Sequence, residues 1–183
     1  AANANTTGAS NVAIGNVAAC GNTTGGNNVA VGNLSLRVGT TGSDNTAIGA
    51  GALQANTTAS QNTAVGRCAL NANTTGVDNV AVGRKALDAS TTADNNTAVG
   101  NAALLSNTTG YSNVAVGKDA MLTNIGGHSN SAFGAAALED NVSGNTNTAI
   151  GNVALRCNTT GSNHVAVGCG ALNRNTTGGD NSA

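Results

Sequence analysis

The stretch Asn-Thr-Ala-Val-Gly-Arg-Cys-Ala-Leu-Asn-Ala-Asn-Thr-Thr-Gly-Val-Asp, residues Asn62–Asp78, is one unit of a pattern that fills the chain. Its opening, Asn-x-Ala-Val/Ile-Gly, recurs at Asn11, Asn28, Asn45, Asn79, Asn96, Asn113, Asn130, Asn147 and His164, with a last copy starting at Asn181. Every interval is 17 residues, without insertion. A fixed period this short is the signature of a solenoid in which each repeat makes one turn.

Numbered from its Asn, the unit has Ala at position 3 in every copy and Gly at position 5. Position 4 is aliphatic apart from Phe133, position 8 is Ala apart from Ser35, and position 9 is Leu apart from Ala19 and Met121. Positions 12 to 15 read Asn-Thr-Thr-Gly with few departures. All 15 charged residues fall at positions 6, 7, 10, 11, 16 or 17, which locates solvent-facing corners there. Between the corners lie a strand over positions 1–5, a short inward Ala-Leu at 8–9, and the Asn-Thr-Thr-Gly side. Gly at positions 5 and 15 leaves no room for a stable helix. Expected is therefore an all-β fold, a parallel β-solenoid or β-roll of 17 residues per turn and about 10–11 turns, its strands about 4.8 Å apart and its length about 50 Å. The whole chain, 1–183, reads as one repeat solenoid and as a fragment of a longer fibre.

The aliphatics of positions 4 and 9 are expected to form the buried spine: Val31, Leu36, Ile48, Leu53, Val65, Leu70, Val82, Leu87, Val99, Leu104, Val116, Met121, Phe133, Leu138, Ile150, Leu155, Val167 and Leu172. Asn at positions 1 and 12 reads as polar columns, amide stacked on amide along the axis. Asn-Thr-Thr or Asn-Val-Ser is also an N-glycosylation acceptor pattern, present at Asn5, Asn22, Asn56, Asn73, Asn107, Asn141, Asn158 and Asn175. As a by-product of the repeat the pattern carries less weight than the stacking reading.

Composition narrows function mainly by exclusion. Of 183 residues only 8% are charged, against about 25% in ordinary soluble domains. There is no Pro or Trp, and Phe133 and Tyr111 are the sole Phe and Tyr. Low charge with abundant Asn, Thr and Gly is compatible with disorder, but strict phasing of the apolar positions argues against it. Net charge is −1 and the seven basic residues are scattered, so no nucleic-acid footprint is present. No apolar run approaches the ~20 residues that span a bilayer. Cys20, Cys68, Cys157 and Cys169 occupy four different repeat positions and form no column, hence no disulfide framework or metal cluster. His128 and His164 are isolated, and no Gly-Lys-Ser/Thr phosphate loop or calcium-binding Gly-Gly-x-Gly-x-Asp run occurs. No catalytic, cofactor or metal site is expected, and the chain reads as a non-enzyme.

The Asn-Val-Ala-Val-Gly and Asn-Thr-Ala-Ile-Gly openings resemble the Ser-Val-Ala-Ile-Gly repeats in the heads of trimeric autotransporter adhesins. The Asn-Thr-Ala-Val-Gly, Ala-Leu and Asn-Thr-Thr-Gly elements are similar to arrays in phage tail-fibre-like and bacterial surface proteins. The resemblance covers nearly the whole chain through short motifs. It implies a left-handed parallel β-roll, an extracellular, cell-surface or virion location, and self-association as a homotrimer or polymeric filament, with a host or cell-surface ligand as a further partner. The expected function is then a structural extracellular fibre or adhesin shaft, with a phage tail-fibre shaft as the alternative. An ice-binding solenoid ranks lower, because adjacent Thr residues in a strand point to opposite faces.

Overall fold

The computed structural model describes residues 2–183 and is all-β, with no helix among those residues. Ten strands, β1 (Val12–Ile14), β2 (Val29–Val31), β3 (Thr46–Ile48), β4 (Thr63–Val65), β5 (Val80–Val82), β6 (Thr97–Val99), β7 (Val114–Val116), β8 (Ser131–Phe133), β9 (Thr148–Ile150) and β10 (Val165–Val167), stack in chain order into one parallel sheet. Each pairs with the next at a shift of 17 residues, so like sits on like: Ala47 on Ala64, Ala64 on Ala81. The strand covers positions 2–4, shorter than the five residues expected.

Each turn closes through backbone that a chain of L-residues adopts reluctantly. Positions 7, 9 and 17 are left-handed, as at Cys68 (φ 58°), Leu70 (φ 48°) and Asp78 (φ 57°). The strand ends at a Gly such as Gly66 (φ 135°), where an added Cβ would meet the Gly83 carbonyl of the next turn. Between these points the backbone bonds from turn to turn: Leu70 N–H donates to the Ala86 carbonyl (3.0 Å) and Thr74 N–H to the Thr91 carbonyl (2.9 Å).

The interior differs from the expected spine in one systematic way. Leu36, Leu53, Leu70, Leu87, Leu104, Met121, Leu138 and Leu155 are buried, with Leu172 partly so. Val31, Ile48, Val65, Val82, Val99, Val116, Phe133, Ile150 and Val167 are not in the core. They point outward, half-buried at Val31, Val65, Val82, Val99 and Val116, and exposed at the other four. Strand alternation explains the correction: the position 3 Ala side chains face inward, so positions 2 and 4 face out. The inward wall opposite Leu is Ala, at 0% exposure from Ala30 to Ala166. The three charged corners are also uneven. Positions 6 and 17 are exposed throughout, whereas positions 7, 10, 11 and 16 are mostly half-buried.

The remaining core is polar. Asn62 and Asn73 are both fully buried, and both donate their side-chain N–H to the Gly76 carbonyl, at 2.9 Å each. One carbonyl thus takes an amide from each column, closing the turn from inside. Along the axis, Asn79 N–H donates to Asn62 Oδ1 (3.0 Å) and Asn96 N–H to Asn79 Oδ1 (3.0 Å), with like steps continuing to His164. In the second column Asn124, Asn141 and Asn158 each donate to the Oδ1 of the Asn one turn below. These amides satisfy buried backbone groups that short strands leave unpaired.

Candidate interaction face

The outward side of the sheet is the most regular surface of the molecule. Eight of its position 2 and 4 side chains are exposed large hydrophobics, from Val80 at 36% to Ile14 at 61%. The two other exposed large hydrophobics, Tyr111 and Ile125, lie elsewhere on the coil. Alternation makes columns 17 and 6 the flanks of this strip, and every residue in both columns is exposed. Column 17 contains acids and no bases: Asp44, Asp78 and Asp180 among Asn, Ser, Gln and Thr. Column 6 contains bases and no acids: Arg67, Arg84 and Lys118 among Asn, Ala and Cys. The face is thus an apolar strip with one acidic and one basic edge. Lys118 pairs with Asp119 of its own turn (3.1 Å), whereas Arg67 and Arg84 make no ion pair among the described residues.

The other sequence candidates do not converge. Asn22, Asn56, Asn73, Asn107, Asn141 and Asn158 are buried and spend their amide nitrogens on backbone carbonyls, for example Asn107 on Gly110 (2.8 Å). The folded coil therefore closes these six positions to glycan attachment, correcting the acceptor reading. Asn5 is exposed and Asn175 half-buried. The Asn-Thr-Thr-Gly segment is not a strand, and its two Thr residues differ in exposure. The first is mostly half-buried and gives its hydroxyl to the next turn, as Thr57 does to the Thr74 carbonyl (2.9 Å). The second, as at Thr58 and Thr75, is exposed.

The four cysteines are free. A shallow cleft of about 300 Å³ opens beside Cys68, where Gly51 lacks the side chain that Leu34 and Cys68 carry in the same column. No group of three or more His, Cys, Asp or Glu able to hold a metal ion occurs among the described residues. His164 is buried in the first Asn column. Its Nδ1 accepts the Asn181 N–H (3.2 Å), and its Nε2 lies 2.9 Å from the Asn175 side-chain nitrogen, so the ring continues the polar column in place of an Asn. Tyr111 and His128 stack at 4.7 Å between centroids. Arg156 donates to Glu139 Oε2 (2.7 Å), and that hydrogen bond, with the attraction of the carboxylate, raises the guanidinium pKa. Sequence reasoning missed the face itself. The signal was available in the tolerance of positions 2 and 4 for Val, Thr, Ser, Ile and Phe around an unvarying Ala.

No family model, curated protein or solved structure matches this chain. No helix of the described residues is long and apolar enough to cross a membrane.

Proposed function

We propose that the chain is a structural shaft: a stack of turns that gives an extracellular fibre, on a cell surface or virion, its length and stiffness, with no catalytic step of its own. The observation that carries this reading is the continuity of the axial columns. Each strand touches only its immediate neighbours, in one register from β1 to β10. Such a coil grows by adding turns and loses none of its contacts in doing so. An adhesin shaft and a phage tail-fibre shaft are two settings of the same role. Self-association, as a homotrimer or a filament, belongs to the proposal because a single coil is slender and carries a long apolar strip on its side. The test is localisation. An antibody raised against the chain should decorate surface filaments or virion fibres in immunogold micrographs of the organism that makes it; label confined to the cytosol would overturn the reading.

A further inference from the structure

We infer that the β1–β10 face is the contact between copies of this chain, and that the copies stand side by side with their axes pointing the same way. The inference rests on the shaft reading and adds the surface and the polarity of its self-association. The occupant follows from area and charge.

From column 17 to column 6 the face is about 20 Å wide, and nine strand steps make it about 43 Å long. Two such faces bury about 1,700 Å², the size of a standard specific interface, which lies near 1,600 Å². The centre is an unbroken apolar column at position 4 beside a column of Val, Thr and Ser at position 2, and the edges are polar, the arrangement of an interface core within its rim.

Charge then selects the orientation. When two copies are related by rotation about an axis parallel to the coil, the acidic edge of one meets the basic edge of the other. The strands stay level, so Asp78 and Arg84, which flank the same strand β5 at opposite edges, face each other across the contact. Asp44, beside β3, comes within one step of Arg67, beside β4. Asn27 meets Asn33 beside β2, and Asn95 meets Asn101 beside β6. Turning one copy end over end instead places acid edge on acid edge and basic edge on basic edge, a juxtaposition that like charges oppose. The Asp78–Arg84 match falls at one strand level, so that pair meets without axial stagger.

The experiment is sedimentation equilibrium of the 183-residue chain over a wide concentration range, with circular dichroism confirming the fold of each variant. The wild type should form a discrete oligomer. Val65→Lys with Val99→Lys, both outward, should raise the dissociation constant at least about tenfold while keeping the β signal. Asp78→Arg or Arg84→Asp alone should weaken association, and the two together should restore it. That rescue requires column 17 of one copy to meet column 6 of another. A monomer throughout would overturn the proposal and leave the surface-filament test of the shaft reading standing; a monomer that also gives thermal hysteresis would assign the face to ice. An oligomer indifferent to the lysines would mean end-to-end contact, and failure of the charge swap would overturn the common polarity.

Discussion

Replacing Asn79 by Ala should destabilise the coil more than the same change at Asn113, although the two residues occupy the same column and are equally buried. Asn113 donates its side-chain N–H to the Gly127 carbonyl (2.8 Å), but that carbonyl also receives Asn124 (2.9 Å). Removing Asn113 therefore orphans one group, the Asn130 N–H that Asn113 Oδ1 accepts (3.0 Å). Asn79 likewise accepts the Asn96 N–H (3.0 Å) and donates to the Ala93 carbonyl (2.8 Å). Here the second column holds Ser90, whose hydroxyl has no partner, so the Ala93 carbonyl has no second donor among the described residues. Asn79→Ala thus orphans two buried groups where Asn113→Ala orphans one. Cavity and packing losses largely cancel between the two, and the excess cost should be about 1–3 kcal/mol, the penalty of one buried unsatisfied carbonyl.

The same geometry supplies a rescue. Asn73 Oδ1 is buried without a partner one turn below Ser90. Ser90→Asn would offer one N–H to that oxygen and one to the Ala93 carbonyl, stabilising the wild type by about 1–3 kcal/mol, two ordinary hydrogen bonds. In that background the excess cost of Asn79→Ala should largely vanish. Urea denaturation followed by circular dichroism at fixed protein concentration measures all four variants. Equal midpoints for Asn79→Ala and Asn113→Ala, or a Ser90→Asn variant that neither stabilises nor rescues, would refute the view that shared carbonyls hold each turn closed.

Three further outcomes are expected. Leu87→Ala should cost about 2–5 kcal/mol in chemical denaturation, since its side chain is fully buried, while Lys85→Ala should stay within about 0.5. Thr146 is exposed, β-branched and left-handed (φ 57°), so Thr146→Asn should raise the melting midpoint, by about 1 kcal/mol of relieved strain. Deleting Asn62–Asp78 should set β3 directly on β5 in register and retain the β signal, whereas deleting only Asn62–Ala69 should abolish it; equal folding of the two would contradict one turn per repeat.

The period made the stack of one-turn repeats legible, and Gly at positions 5 and 15 made it a β stack rather than a helical one. Leu at position 9 was legible too, being large, apolar and flanked by corner residues. Position 4 was not. Its aliphatic character read as core, yet a strand shows alternate residues to opposite sides, and the unvarying Ala13 to Ala183 series already marked position 3 as the inner one. Phe133 pointed the same way: a ring set among Val and Ile neighbours would overpack a narrow coil, but fits on an open face. The buried Asn columns were half legible. Stacked amides follow from repeated Asn, but the convergence of Asn62 and Asn73 on one carbonyl depends on how the chain turns at Gly76, which no local pattern announces.

The left-handed corners bear on the proposed shaft role. Three positions per turn, 7, 9 and 17, are left-handed, and apart from Gly51 and Gly170 all hold L-residues, which cost about 1–2 kcal/mol each there. A lone turn has nothing to offset that cost, since its strand has no neighbour, its Asn amides have no axial partners and its Leu is bare. Each added turn completes the hydrogen bonds of the one beneath it and covers its Leu, so stability accrues through the interfaces between turns. A coil built this way is cooperative along its axis and weakest in its terminal turns, where half the axial partners are missing. Its sides, by contrast, are closed within each turn. The columns of Leu, Ala and Asn are buried within the single coil, which leaves the outward Val, Ile and Phe as the apolar surface still available for contact.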